Sequence, residues 1–502
     1  MVWADVADNE QCRVLMELRP CFDGFAGIPQ ETRVLFSSFH DLPGIDPVGL
    51  INHSNRRLTR STPAFWQKKD PARQLDRVSR LIVSCEDDEP ATPFDRLRHR
   101  TERPRSVASL TASTTSGIPI PVHDVSGELF SDYLWQRLFE KGLAPDEFDR
   151  VREAKYVSIR PSWLSMHAMG SLRRYPRLDT SEFDIFIAHT PWPSQISPST
   201  ELIVRYHDAI PIFHPHQIKL PAMHQFHHST ALRSNAKEAS FVCTSEATRS
   251  DLLKLYPHLE PRSIVIPTSV SADFYPEPAS DETVKQVISS HLHAGRPPKQ
   301  RKDPHDEFRY LLIVSTIEPR KNHIRLIDAW DSIRRDIDDD LNLVIVGSPG
   351  WGQGPIMKRI KKGQTTGGLY HLAGVPTADL RLLYSNAAAT ICPSVVEGFD
   401  MSTIEAMFCG SPVVASDVPV HRENCADAAL YFEPYDPTNL VAVLENLLYS
   451  DFTNSRRNEL VHRGLTQCKV FRRVELADRW GALFDDIRAG TFGTRAPRRV
   501  PR

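Results

Sequence analysis

The stretch ATICPSVVEGFDMSTIEAMFCGSPVVAS, residues 389–416, decides how the second half of the chain is read. It opens with a short apolar run, passes through a loop, continues as a helical pattern from about Met401, and returns to an apolar run at PVVAS. Strand, helix and strand in so few residues form the unit of a parallel sheet with a right-handed crossover. A helix starting near Met401 presents free backbone amides to the preceding loop, and such a terminus binds phosphate. Asp400 is placed to cap that helix. Glu397 lies in the loop, and Glu405 lies about 6 Å further along, one turn into the helix. A carboxylate accepts two hydrogen bonds from a vicinal diol. Glu397 beside a sugar and Glu405 beside a ribose would therefore flank a diphosphate at the helix start. A turn glutamate and a solvent-facing helix glutamate would give the same spacing.

The alternation extends in both directions. RYLLIVS, LNLVIVG, LYHLAG and ALYFEP read as further strands, with helical stretches such as HIRLIDAWDSIRR (323–335) and TADLRLLYSNA (377–387) between them. Upstream, RVLMEL (13–18) precedes a loop with Gly24 and Gly27 and a helix with Pro29 in its first turn. FDIFIAH, ELIVRYHD, SFVCTS and SIVIPTS continue the strand series from 183 to 269. The class is α/β, with two doubly wound Rossmann-like domains facing across a cleft and ligands at the carboxyl ends of the strands.

The expected map is a first domain over 1–270, a linker over 271–307, a second domain over 308–470, a C-terminal helix over 471–488 and a disordered tail over 489–502. Residues from about 42 to 180, rich in Pro, Ser, Thr and Arg in their first part, read as an irregular insertion. Within it, GELFSDYLWQRLFEKGL (127–143) has helical spacing, with Leu129, Phe130, Tyr133, Leu134, Leu138 and Phe139 on one broad face.

A chain of 502 residues exceeds one ordinary core. Its net charge of -2 gives no support to nucleic acid as a partner. The eight cysteines form no C-x-x-C pair and read as buried thiols in a reducing compartment. No signal-type core stands at the N-terminus, and no apolar run approaches the roughly 20 residues that span a bilayer. The expected location is cytoplasmic, with peripheral contact at the inner face of the membrane left open.

A second motif follows the strand RYLLIVS. In STIEPRKNH (315–323), Arg320 and Lys321 stand at the ligand end of the first strand of the second domain. A guanidinium and an ammonium there can neutralise a departing diphosphate. A basic turn before a helix is the plain alternative. Cations suited to phosphate and carboxylates suited to diols nevertheless fall at one sheet edge.

EGFDMSTIEAMFCGSPVVAS and STIEPRKNH together resemble the family 4 glycosyltransferases, retaining enzymes of the GT-B fold, and most nearly the bacterial polysaccharide and mannosyltransferase group. The resemblance extends to RPCFDGFAGIPQETR near the N-terminus and to YHDAIP at 206–211, covering roughly 15–40 and 183–470. It implies that Arg320 and Lys321 bind the donor diphosphate, that Glu405 holds the ribose and that Glu397 lies near the transferred sugar. It places Gly398 and Phe399 in the loop whose amides border sugar and phosphates, and Asp400 within that donor site. Gly24 and Gly27 match the loop that approaches the donor phosphates or the acceptor. His207 matches a histidine near the reaction centre, and Val375 falls where the backbone contacts the base. Many members have Gly-Leu-Pro where this chain has Asp400, Met401 and Ser402, and glycine in place of Ser315.

Some signals are set aside. Asp336 and Asp338 mimic the Asp-x-Asp metal pair of other glycosyltransferases but lie in an acidic turn, so no metal and no cofactor is expected. His224, His227 and His228 have helical spacing that could hold zinc but read as a polar helix face. RLRHRTERPR (96–105) reads as a solvated loop rather than a lipid-binding patch. The function expected is transfer of a hexose from a nucleoside diphosphate sugar, GDP-mannose favoured, to a glycan or lipid-linked saccharide in surface polysaccharide synthesis. Two other classes stay open: a catalytically silent partner protein of the same fold, and a dinucleotide-dependent oxidoreductase, for which neither domain offers a convincing G-x-G-x-x-G turn.

Overall fold

The computed structural model describes residues 11–24, 27–59, 70–86, 101, 104, 107–108, 110–125, 127–172, 174–298, 307–451 and 453–493. The first sheet is built from β1 (Cys12–Glu17), β2 (Ile45–Ile51), β3 (His123–Val125), β4 (Lys155–Ser158), β5 (Ile185–Ala188), β6 (Glu201–Tyr206), β7 (Ser240–Cys243) and β8 (Ser263–Val265). Their order across the sheet is β3-β4-β2-β1-β5-β6-β7-β8. All neighbours run parallel except β3, which is antiparallel to β4. The second sheet holds β9 (Leu292–Ala294), β10 (Tyr310–Val314), β11 (Asn342–Val346), β12 (Leu369–Leu372), β13 (Ala389–Cys392), β14 (Val413–Ser416) and β15 (Ala429–Phe432). Its order is β15-β14-β13-β10-β11-β12-β9, parallel but for the edge strand β9.

Helices cover both faces of each sheet, so β1, β5, β10, β11 and β13 are almost wholly buried and read as continuous apolar runs. The winding direction reverses between β1 and β5 in the first sheet and between β10 and β13 in the second. A crevice opens outside the strand ends at such a reversal, and ligands of doubly wound sheets bind there. The loop with Gly24 and Gly27 follows β1, the PRKN loop follows β10, and the Glu397 loop follows β13.

Three expectations are corrected. The 42–180 stretch is not an irregular insertion, since β2, β3 and β4 lie within it and β2 pairs with β1 over six residues. Pro47 and Gly49 disguise β2 as a turn. A Cβ on Gly49 would collide with Leu18 and Tyr156, which pack against it. The 271–307 linker is only partly one. Residues Asp281–Ser290 form a helix capped by Ser280, with Val284, Val287 and Ile288 in the second core, and β9 follows it. The helical face at 127–143 breaks after Leu134 into a π-turn over Trp135–Phe139, and Leu129 is 45% exposed while Phe130, Leu134, Leu138 and Phe139 are buried. Residues 1–10, 299–306 and 494–502 lie outside the described residues, as does RLRHRTERPR apart from 101 and 104.

The last helix, Arg473–Arg488, returns to the first domain. Leu476, Trp480, Leu483 and Phe484 enter the core formed by Phe36, Phe39 and Val14, and Arg473 pairs with Glu147 at 2.6 Å and Asp41 at 3.0 Å. All eight cysteines are buried and free. Among the described residues no helix is long and apolar enough to cross a membrane.

Trp480 is 2% exposed and meets Phe39 edge-on at 5.5 Å. Trp480→Ala should cost roughly 3–5 kcal/mol, measured by urea unfolding. A loss below about 1 kcal/mol would mean that the helix does not belong to the first core.

Candidate functional site

The second domain brings Arg320, Lys321, Glu397 and Asp400 together. Pro319–Lys321 forms a short 3-10 turn, ended by Asn322 in the left-handed region at φ 59°. Asn322 is 4% exposed, and its side-chain amide donates to the carbonyls of Pro393 at 3.0 Å and Pro434 at 2.7 Å. The amide of Val395 donates to the Arg320 carbonyl at 2.9 Å. These bonds fasten the loop after β10 to the loop after β13. Arg320 Nη1 then lies 2.6 Å from Glu397 Oε2, and Lys321 Nζ lies 2.6 Å from Glu397 Oε1. Glu318 holds the other edge of Arg320 at 2.6 Å, and Asp400 lies 3.8 Å from Lys321.

Burial pushes the Glu397 carboxyl up, but Arg320 and Lys321 outweigh it and hold Glu397 below the usual carboxylate range. Burial pulls both cations down, and Glu397 reverses that, raising Arg320 and Lys321 above their ordinary values. The cluster is therefore fully ionised and already neutralised by its own carboxylates. An incoming diphosphate would share these cations with Glu397 rather than meet bare charges.

Asp400 does not cap the helix Met401–Phe408 through its side chain. It sits at φ 63°, and its carboxylate takes the Ser402 hydroxyl at 2.6 Å and faces His421 Nε2 at 2.9 Å. Burial pushes it up, but Lys321 and His421 outweigh that and hold it well below the usual range. The helix-start amides are thus not covered by the adjacent carboxylate. Glu405 lies one turn on, with Tyr384 Oη donating to it at 2.9 Å. Burial, opposed by Tyr384 and helped by Asp400, pushes its carboxyl up to about 7. It forms no ion pair with Arg320 or Lys321, so three of the four expected groups share contacts and the fourth stands beside them. Phe399 packs on Phe471 in the second core, and its carbonyl accepts from Asn424. Val375 follows β12 and the left-handed Gly374, half-buried against the same core.

The Glu397 loop touches the first domain. The Gly398 carbonyl accepts from the hydroxyls of Ser245 at 2.9 Å, Thr248 at 3.1 Å and Thr244 at 3.3 Å. A Cβ at Gly398 would collide with the His207 carbonyl. Beside this contact, Glu423 accepts from the amides of Glu246 at 2.7 Å and Ala247 at 3.1 Å, capping the helix Glu246–Leu255 across the domains.

His207 is aimed by a buried chain. Its Nδ1 lies 3.2 Å from Glu31 Oε2, and Glu31 is held by Arg205, which also donates to the Ile266 carbonyl at 2.5 Å. Burial, then Arg205, holds His207 well below its usual value, so the ring is neutral. With Nδ1 donating to Glu31, Nε2 is an acceptor. Gly24 and Gly27 have φ of 138° and 68°, which side-chain-bearing residues rarely adopt. Arg33 organises their loop, donating to the carbonyls of Cys21 at 2.8 Å and Gly24 at 2.6 Å. Asp336 and Asp338 lie away from the site at the end of the helix His323–Asp336, where Asp338 meets Arg309 and Tyr449.

Sequence reasoning missed Asp208, Asn322, Glu31 and Glu423. Asp208 is half-buried beside Arg320 and Glu397, and desolvation pushes its carboxyl up. Its position next to His207 in YHDAIP was the available signal. Glu31 and Glu423 offered none, because each acts on a segment more than 170 residues away.

A family profile described as Glycosyl transferases group 1 matches residues 296–464. The O-antigen chain mannosyltransferase B of Escherichia coli is 29% identical over 242 residues, 48% of this chain and 59% of that protein. The match thus spans under two thirds of that relative's length. Sucrose-phosphate synthase from Thermosynechococcus elongatus superposes with a TM-score of 0.56 at 14% identity, over 96% of this chain and all of the other. Anabaena HepE in complex with UDP superposes at 0.55 with 12% identity, over 95% of this chain and all of the other. The fold is GT-B.

Glu405 supplies a pH test. Its folded pKa of about 7 lies above the unfolded carboxyl value of about 4.3. The native state therefore holds this proton more tightly, and the stability it contributes is full below pH 4.3 and lost as pH rises through 7. Glu405→Gln should melt higher than the wild type at pH 8 and at about the same temperature at pH 5, by differential scanning fluorimetry. Equal melting at both pH values would show that Glu405 titrates normally.

Proposed function

We propose that the protein is a retaining glycosyltransferase. It moves a hexose from a nucleoside diphosphate sugar, with GDP-mannose the favoured donor, to a saccharide acceptor of surface polysaccharide synthesis. The observation that carries this reading is the contact of Arg320 and Lys321 with Glu397 at the second sheet's winding reversal, on a loop pressed against His207. In this reading the donor diphosphate lies at the helix start Met401–Phe408, sharing Arg320 and Lys321 with Glu397. The two cations take up the charge that develops on the leaving diphosphate. Glu405 accepts from the ribose hydroxyls. Val375 borders the base, and Gly398 the sugar. Gly24 and Gly27 let their backbone approach from the first domain.

Both oxygens of Glu397 are engaged by cations, which makes it a poor nucleophile. This favours departure of the diphosphate and entry of the acceptor on one face over a covalent sugar on Glu397. His207 Nε2 and Asp208 stand on the acceptor side. The mannosyl preference and the polysaccharide context come from the O-antigen relative. The two cations are expected to act without a metal.

The first test is thermal shift with GDP, UDP, ADP and NAD, each with and without EDTA, followed by turnover of GDP-mannose and UDP-glucose. Stabilisation by GDP that EDTA leaves unchanged, with GDP release and an α-linked product by NMR, is the expected result. Stabilisation by NAD alone would favour an oxidoreductase. Binding of no nucleotide would favour a silent partner protein.

Two variants sharpen it. Lys321→Ala should lose donor binding and about 10²–10³-fold in turnover while keeping the wild-type circular dichroism spectrum. Gly398→Ala should force the loop off His207 and lower kcat by about 10²-fold. Wild-type kcat in Gly398→Ala would show that the interdomain contact has no part in turnover.

A further inference from the structure

The first domain contains a chamber of ≈ 220 Å³ behind His207. It lies beside the first sheet's winding reversal, where the loops after β5 and β6 meet the helices Trp163–Ala168 and Pro221–Asn235. Trp163, His167, His189, His207, His227 and His228 contribute to its wall. His224, His227 and His228 are thus not merely a polar helix face, because all three line this space.

The lining is mostly apolar, and many of its polar atoms are unpaired. Both ring nitrogens of His167 and of His189, Nε2 of His207, the Trp163 indole N–H and the Thr190 hydroxyl are buried with no hydrogen-bond partner among the described residues. His167 is 1% exposed and His189 0%. Leaving such groups unpaired is costly, and a fold rarely gathers several of them around one space without a ligand to satisfy them. The wall also carries aromatic rings, packed on one another. Trp163 and His167 meet at 3.9 Å between ring centroids, and His167 stacks on His227 at 4.7 Å.

Among the described residues no lysine or arginine lines the chamber, and Arg19, which lies over the Trp163 ring at 4.6 Å, is already paired with Glu17 at 2.7 Å. Burial keeps His167 and His189 well below their usual value and pulls His228 down to about 4. Asp208 is the one carboxylate in the lining. An anionic ligand finds no partner there, whereas a molecule with many hydroxyls and an apolar C–H face matches the wall on both counts. His207 and Asp208 belong both to the chamber and to the contact with the Glu397–Gly398 loop. Whatever fills the chamber abuts the place assigned to the donor sugar.

We propose that this chamber is the acceptor subsite for one uncharged pyranose ring, its C–H face against Trp163 and His167 and its hydroxyls on the ring nitrogens of His167, His189 and His207. The inference rests on the glycosyl-transfer reading. It adds the location and the chemical class of the acceptor unit: a neutral sugar rather than a uronic acid or a sugar phosphate.

The test uses the full chain with methyl α-D-mannopyranoside and sodium glucuronate as probes, read by saturation-transfer NMR with and without GDP. Saturation transfer to the mannoside, with none to glucuronate, is expected. His167→Phe keeps an aromatic ring and removes both nitrogens. It should weaken mannoside binding about tenfold while leaving the thermal shift by GDP unchanged. The imidazole Hε1 signals of wild-type His167 and His189 should move on adding the mannoside, an outcome that needs no variant to fold. Equal mannoside affinity in His167→Phe, unmoved imidazole signals, or glucuronate binding as tight as mannoside would overturn the proposal. Those results together with intact GDP binding would sink only the subsite. Failure of every nucleotide to bind would sink the transfer reading instead.

Discussion

One carboxylate holds the site together. Glu397 is gripped on one oxygen by Arg320 and on the other by Lys321, in a place where an unpaired charge would be costly. The grip fixes the loop after β13 to the loop after β10, and it sets where Gly398 lies. Gly398 in turn can press its backbone against His207 only because it has no side chain. Removing either cation would leave Glu397 short of a partner, and removing Lys321 would also take a neighbouring charge from Asp400. The interaction that makes the pocket suitable for a diphosphate is the same one that orders the loop joining the two domains.

The first domain answers with a frame of its own. Glu31 stands between Arg205 and His207, so a helix residue near the N-terminus orients a ring more than 170 positions later. Arg33, buried in the same helix, ties down the glycine loop through backbone carbonyls. Glu17 accepts from the His189 amide at 3.0 Å, which fixes the loop after β5 against β1. The final helix then crosses back and packs Trp480 beside Arg205 at 5.8 Å. The chain's last described segment thus supports the residue that supports His207. The two domains are coupled through core packing at one end and through Gly398 and Glu423 at the other.

Much of this is legible in the sequence. The doubly wound halves followed from short apolar runs separated by helical stretches. The sequence places Arg320, Lys321, Glu397 and Glu405 at one sheet edge because each motif directly follows a strand; the structure joins the first three by ion pairs and sets Asp400, not Glu405, beside Lys321. What failed had local causes. β2 was hidden by Pro47 and Gly49, residues that signal turns unless the neighbouring side chains are known. The helix Asp281–Ser290 was hidden by the charged residues around it. Asp400 was assigned as a cap because it precedes the helix, but Lys321, His421 and Ser402 compete for its carboxylate. The π-turn over Trp135–Phe139 was hidden because a 3.6-residue period cannot foresee it.

Local periodicity and the order of chemical groups along the chain settled the fold class and the identity of the charged cluster, since these depend on neighbours in sequence. Only the folded molecule decided which groups face one another. The Glu31–Arg205–His207 chain, the seating of Gly398 on the first domain and the gathering of His167, His189, His207, His227 and His228 around one chamber join segments far apart in the chain. Such meetings are set by strand order and by the packing of helices on the sheets, and neither is written in any one stretch of sequence.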